Sequence, residues 1–153
     1  MERVRSAAKA VIVRRGRLLL IRCRDAEGDW YGLPGGGQQV GESLAETLVR
    51  ECHEEIGAEV EVVRLLYVRD YIAAKHAFSY LEASTHQVEH LFECRVAGDY
   101  QAANGSHPDT DQVAVEWLDH EMLRAARVYP SGLRDIVDPE RADALPSYWG
   151  DVN

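Results

Sequence analysis

Apolar and polar residues alternate in this chain with two periods, and each change of period marks an element. Residues 43–56 carry the helical period: Leu44, Leu48, Cys52 and Ile56 recur every four positions, with Ala45 and Val49 beside them. Ser43 and Glu46 form a Ser-x-x-Glu capping box at the start, and Gly57 supplies a left-handed stop. Fourteen residues rising 1.5 Å each make a rod of about 21 Å.

The strand period appears in residues 8–14 and 18–22, on either side of a hairpin turn at Arg15-Gly16. It returns in 59–71 through Val60, Val62, Leu66 and Val68, in 90–97 through Phe92, Cys94 and Val96, and in 113–118. A short helix is expected after Asp119 as N-cap, and another over 131–137 after Pro130. Residues 72–87 show no clean period and read as an irregular, substrate-facing segment, while 98–112 form a long polar loop of the kind that is usually functional or mobile. The tail, 138–153, carries Tyr148-Trp149, an aromatic pair that suggests docking, with a second subunit of a homodimer as one candidate surface. Strands and helices mix without regular βαβ alternation, so a mixed sheet covered by helices is expected, in one domain over 1–153.

Charge narrows the partners. A formal net charge of −9 disfavours broad electrostatic binding to nucleic acid or an anionic membrane. It would also repel an anionic substrate unless bound metal reverses the local field. Cys23, Cys52 and Cys94 are too scattered for a metal motif and read as reduced thiols, which points to a cytoplasmic setting. No stretch has the apolar length of a membrane span, and residues 1–9 lack the apolar core of a secretion signal.

Glu51, Glu54 and Glu55 stand at i, i+3 and i+4, so their carboxylates share one side of the helix. Like charges at this spacing cost a helix roughly 0.2–0.5 kcal/mol per pair. A hard cation such as Mg²⁺ would turn the repulsion into attraction; the alternative for three glutamates alone is a solvated acidic face. Arg50 follows Glu46 by four residues and precedes Glu54 by four, so it can hold either carboxylate.

The whole segment reads Gly36, five residues, Glu42, seven residues, then Arg50-Glu51-Cys52-His53-Glu54-Glu55-Ile56-Gly57-Ala58. This resembles the Nudix box, Gly-x5-Glu-x7-Arg-Glu-U-x-Glu-Glu-x-Gly-U with U apolar, and every fixed letter is present. Cys52 and Ala58 are smaller than the aliphatics usual at the U positions. The Trp30-x-x-x-Pro34-Gly35-Gly36 approach is of a kind that commonly precedes the box.

The resemblance covers roughly residues 8–137 and implies an α/β/α sandwich with a mixed central sheet. It also implies hydrolysis of a nucleoside diphosphate linked to another group, with Mg²⁺ or Mn²⁺ as cofactor. Glu51 and Glu55 are then the expected metal ligands, Glu54 a ligand or base, and Arg50 the residue that orients a glutamate. The Gly36 carbonyl is a further ligand candidate. Gly35 and Gly37 let backbone approach the substrate, and Arg22 and Arg24 are candidate phosphate contacts, since such sites often draw basic residues from this sheet. Glu89, Asp109 and Asp111 are candidate bases outside the box. Tyr31, Tyr67, Tyr71, Phe78 and Tyr80 are candidates to stack on a base, with ordinary packing as the alternative. Ala73 stands where ADP-ribose enzymes often have proline, which disfavours that substrate group. The leading reading is a metal-dependent pyrophosphohydrolase of small nucleotides; a scavenger of oxidised nucleotides is a narrower alternative, and intact Arg50, Glu51, Glu54 and Glu55 count against the third, a non-hydrolysing nucleotide-binding domain.

Overall fold

A computed structural model describes residues 3–79 and 81–153 of the chain. Tyr80, one of the candidate stacking residues, lies outside them. The chain runs β1 (Val4–Val11), β2 (Val13–Arg14), β3 (Arg17–Asp25), β4 (Gly28–Gly32), β5 (Gly35–Gly37) and α1 (Leu44–Ile56). It continues through β6 (Glu61–Ile72), β7 (His86–Arg95), β8 (Gln112–Leu118), α2 (His120–Ala125) and β9 (Tyr148–Asp151). One sheet has the order β5-β1-β7-β6-β9, with β1 and β7 parallel and β6 and β7 antiparallel. The other joins β2, β3, β4 and β8 through antiparallel pairs. The result is the expected mixed α/β fold.

The strand period explains why helical layers form on both sides. Along β3, Leu19, Ile21 and Cys23 join one apolar cluster, while Leu18 and Leu20 join another. The first cluster is closed by Leu48, Cys52 and Ile56 of α1; the second by Leu123 of α2 and Leu133. Successive side chains of a strand point to opposite faces, so a strand buried on both reads as a continuous apolar run, as Leu18-Leu19-Leu20-Ile21 does. Each fully buried leucine or isoleucine is worth roughly 1.5–3 kcal/mol relative to exposure.

Helix α1 carries the capping box as expected: Ser43 Oγ accepts from the Glu46 N–H and the Glu46 carboxylate accepts from the Ser43 N–H. Gly57 ends it at φ 63°. Its buried stripe differs in one edge from the expectation. Ala45 and Val49 face solvent, and Thr47 and Glu55 are buried instead, because the helix leans the flank bearing these residues inward.

Other boundaries shift for reasons of pairing. Strand β1 begins at Val4 and β7 at His86, ahead of the expected starts, because the two pair in parallel from Val4↔His86 to Val11↔Glu93. The strand β4, which the sequence reading placed in a loop and lead-in, exists because Gly28–Gly32 pair with β3. The expected helix over 131–137 is a short 3-10 turn, Ser131–Asp135.

The tail docks on its own chain. Strand β9 adds to the sheet edge in parallel with β6, pairing Val68 with Tyr148 and Asp70 with Asp151. Trp149 packs on Tyr67 with ring centroids 4.9 Å apart, and Tyr148 Oη donates to Asp70. The aromatic pair is thus used within the fold.

Candidate active site

The turn into β5 is built for close approach. Gly35 has φ 137°, and a Cβ there would lie 2.1 Å from the Ala8 carbonyl oxygen. A Cβ on Gly36 would lie 2.7 Å from the Glu51 carboxylate. Only glycines let β5 pair with β1 on one side and meet α1 on the other.

Around this turn lies a cleft of about 300 Å³, at the small end for a ligand site. Glu51 and Glu55 of α1 line it together with Gly35, Gly36 and Gly37. Glu55 is 4% exposed, and its Oε1 accepts the Gly35 N–H at 2.7 Å. Burial pushes its carboxyl from an ordinary 4.5 up to about 8, against the opposing pull of Lys9 and the Gly35 N–H. Glu54 does not line the cleft; it sits on the flank of α1, half-exposed, 3.7 Å from Arg50.

Arg50 is the hub of the loop. Its Nε and Nη2 grip both oxygens of Glu42, Nη1 donates to Glu51 Oε1 at 2.7 Å, and Nη2 donates to the Gly37 carbonyl at 3.2 Å. The Glu42 carboxyl is held down to about 2, chiefly by Arg50. Glu46, a partner the spacing allowed, is taken by the capping box instead. Arg50 therefore holds Glu42 and Glu51 most closely, with Glu54 further off.

Further lining comes from the long loop. Loop residues cap the C-terminal end of α1, whose last carbonyls lack helical partners. Gly105 N–H donates to the Glu55 carbonyl at 2.9 Å, His107 N–H to that of Glu54 at 2.8 Å, and Tyr100 Oη to that of Ile56 at 2.6 Å. So anchored, the loop places Asp109, Thr110 and Asp111 on the cleft. Of the three candidate bases, Asp109 and Asp111 are brought into the site. Glu89 is 1% exposed, is bonded by Arg69 and Gln87, and lines a small neighbouring cavity that shares Lys9, Trp30 and Asp109 with the cleft.

Arg22 and Arg24 lie elsewhere. Both pair with Asp29, at 3.1 and 2.7 Å, Arg22 also approaches Glu116 at 3.3 Å, and neither lines the cleft. The cations that do line it are Arg5 and Lys9, two strand repeats apart on the same face of β1. Arg5 lies ahead of the strand start expected at residue 8, and the alternation Arg5, Ala7, Lys9 is the sequence signal that extends the strand to it. Gln87 lies at the end of the stretch without a clean period, and pairing with β1 makes it strand. Among the candidate stacking residues, Tyr31 bonds to Glu116 and Tyr71 is buried against His76, while Phe78 packs between Trp30 and Tyr129 at the edge of the site. The three cysteines are free and buried, with Cys23 and Cys94 pushed up to about 12 by desolvation, so they are inert thiols.

Among the described residues, no group of three or more His, Cys, Asp or Glu side chains converges as a ready-made metal cage. Two carboxylates on one cleft wall match a different mode, in which Mg²⁺ keeps several waters and is shared with substrate phosphates.

A NUDIX domain model matches residues 3–138 of the chain. The chain belongs to the Nudix family. It is 33% identical over 135 residues to a MutT-like protein of Streptomyces ambofaciens, covering 87% of this chain and 76% of that protein. It is 30% identical over 129 residues to the nucleoside triphosphatase NudI of an Enterobacter strain, covering 79% and 86%. The crystal structure of a MutT Nudix hydrolase from Burkholderia pseudomallei superposes with a TM-score of 0.66 at 30% identity, covering 87% of this chain and 96% of that one. Two other curated relatives are much longer: the chain spans 34% and 36% of their lengths. Among the described residues no helix is long and apolar enough to cross a membrane.

Proposed function

We propose that this Nudix chain hydrolyses the pyrophosphate linkage of a small nucleoside diphosphate derivative, with Mg²⁺ or Mn²⁺ as cofactor. The observation that carries this reading is the charge of the cleft. Carboxylates on Glu51, Asp109 and Asp111 outnumber the two cations, Arg5 and Lys9, and Glu55 adds a fourth carboxyl whose proton a bound divalent ion would displace. A polyphosphate would be repelled by such a surface unless divalent cations entered with it. Glu51 and Glu55 are the residues to hold the ion, with the Gly36 carbonyl as a further ligand and Glu54 as a flanking carboxylate. A bound divalent ion neutralises charge on the diphosphate and lowers the pKa of an attacking water.

The remaining work falls to the chain's own groups. Arg50 fixes Glu51 from behind and ties it to the Gly37 carbonyl, so the ligand is set before substrate arrives. The Gly35 N–H holds Glu55 in register. Lys9 and Arg5 supply positive charge for phosphate oxygens. Asp109 and Asp111 line the cleft as candidates to take a proton from water. The name of the NudI relative, a nucleoside triphosphatase, favours a small nucleotide as substrate.

The test is a panel of nucleoside triphosphates and nucleotide sugars with Mg²⁺ or Mn²⁺, scored for phosphate and pyrophosphate release. Hydrolysis that requires the ion and is lost in Glu51→Gln supports the reading. Absence of hydrolysis across the panel would refute it and return the chain to a binding role.

A further inference from the structure

We propose that Gln87 reads the nucleoside part of the substrate, its Oε1 accepting a hydrogen bond that a base N–H or a sugar O–H donates. This rests on the nucleotide reading above. Gln87 stands at the start of β7, beside Arg5 of β1 in the parallel register, and both line the cleft. Its side chain is 3% exposed.

The orientation of its amide is fixed by a buried network. Arg69 Nε and Nη2 donate to Glu89 Oε1 at 3.0 and 2.9 Å, and Arg69 Nη1 donates to the Val152 carbonyl of the tail. Paired with the Arg69 guanidinium, the Glu89 carboxylate serves as the acceptor of this network. Gln87 must therefore turn its nitrogen to Glu89, and Nε2 donates to Glu89 Oε2 at 2.8 Å. The oxygen is left on the other branch of the amide, buried and without a partner among the described residues. Buried acceptors are nearly always satisfied, so an orphan one on a ligand cleft marks the place of a missing donor. Among the described residues two other buried side-chain atoms lack a hydrogen bond, Arg22 Nε, which has the Glu116 carboxylate 3.3 Å away, and Asn153 Oδ1, and neither residue lines the cleft.

The chemistry of that donor follows from elimination. Phosphate oxygens that are ionised offer only acceptors and would be repelled by Oε1, so the group facing Gln87 is not phosphate. The nucleoside supplies donors of two kinds, exocyclic or ring N–H groups and ribose hydroxyls. Arg5, one strand over, serves the anionic part while Gln87 serves the neutral part, and the network from Glu89 through Arg69 to the tail keeps the amide from flipping.

The experiment is calorimetric binding, in Mg²⁺ buffer, of AMP, 2′-deoxy-AMP, purine riboside 5′-monophosphate, UMP and inorganic phosphate, to the wild type and to Gln87→Met. Wild type is expected to bind ligands that carry the donor about ten-fold more tightly than the matched ligand lacking it. In Gln87→Met that ratio should fall to about one, with inorganic phosphate unchanged. Collapse of the ratio between AMP and its deoxy form assigns the donor to the sugar; collapse between AMP and the amine-free analogue assigns it to the base. Gln87→Asn, which withdraws the amide by one methylene, should act alike and serves if the methionine variant does not fold. Equal weakening of every ligand, phosphate included, would show a merely structural role and overturn the proposal. So would ratios that survive substitution, as they would if a resident water satisfies Oε1, or a wild type that does not discriminate. Failure of the hydrolysis reading shows separately, as absent turnover of triphosphates by a protein that still binds monophosphates.

Discussion

Glu55 offers the sharpest test of how the site is built, because its burial opposes stability while its place on the cleft makes it a proposed metal ligand. A group whose folded-state pKa lies above its unfolded value stabilises the fold only while protonated. Its contribution is present below about 4.5 and is lost as pH rises toward about 8. Taking these two values, ionisation of Glu55 should cost the metal-free fold about 1 kcal/mol at pH 5, about 3 at pH 7 and about 4 at pH 8. Glu55→Gln removes the titration and keeps an oxygen for the Gly35 N–H, although its new amide donors offset part of the gain by roughly 1–3 kcal/mol if unpaired. The absolute change is therefore less informative than its pH dependence, in which all other titrating groups cancel. Urea denaturation of both proteins in EDTA, at several points from pH 5 to pH 8, should show the wild type losing about 3 kcal/mol relative to the variant across that range. Mg²⁺ should restore much of the wild type's stability at the alkaline end and do little for the variant, while hydrolysis is lost in the variant. Parallel stability curves would refute the argument, since they would mean that Glu55 is not desolvated in the folded protein.

Three further outcomes follow from the geometry. Arg50→Ala should lower turnover by about 10²-fold or more, because Glu42, Glu51 and the Gly37 carbonyl lose their common partner; kinetics with unchanged circular dichroism would check this, and near-normal kcat would contradict it. Lys9→Ala should raise KM for a triphosphate severalfold with kcat less affected, whereas Arg24→Ala, which breaks only an exposed pair with Asp29, should leave both near wild type. A larger effect from Arg24 would restore it as a phosphate contact. Deleting residues 148–153 should lower the thermal midpoint by several degrees, because β9, the Trp149–Tyr67 contact and the Val152 bond to Arg69 go together. An unchanged midpoint would mean that the tail's docking contributes nothing to stability.

The helix and its approach were legible because their information is local. The capping box, the four-residue stripe, the glycine stop and the spacing of Arg50, Glu51, Glu54 and Glu55 all act within a few turns of one element. The strands were legible as periods, but their ends were not. Val4–Ala7 and His86–Glu89 are strand because they pair with each other across more than eighty residues, and neither segment announces that partner.

The family, the capped helix and an acidic face on that helix are all written in short-range spacing. Tertiary structure decided which members of that face matter where. It turned Glu51 and Glu55 into the cleft and left Glu54 on the flank, paired Arg50 with Glu42, and spent Arg22 and Arg24 on Asp29. It also brought Arg5, Lys9, Gln87, Asp109 and Asp111 to one cavity and folded the tail onto β6. The physical reason is that side-chain direction within an element follows from its period, whereas the burial and pairing of a charge depend on what distant chain packs against it.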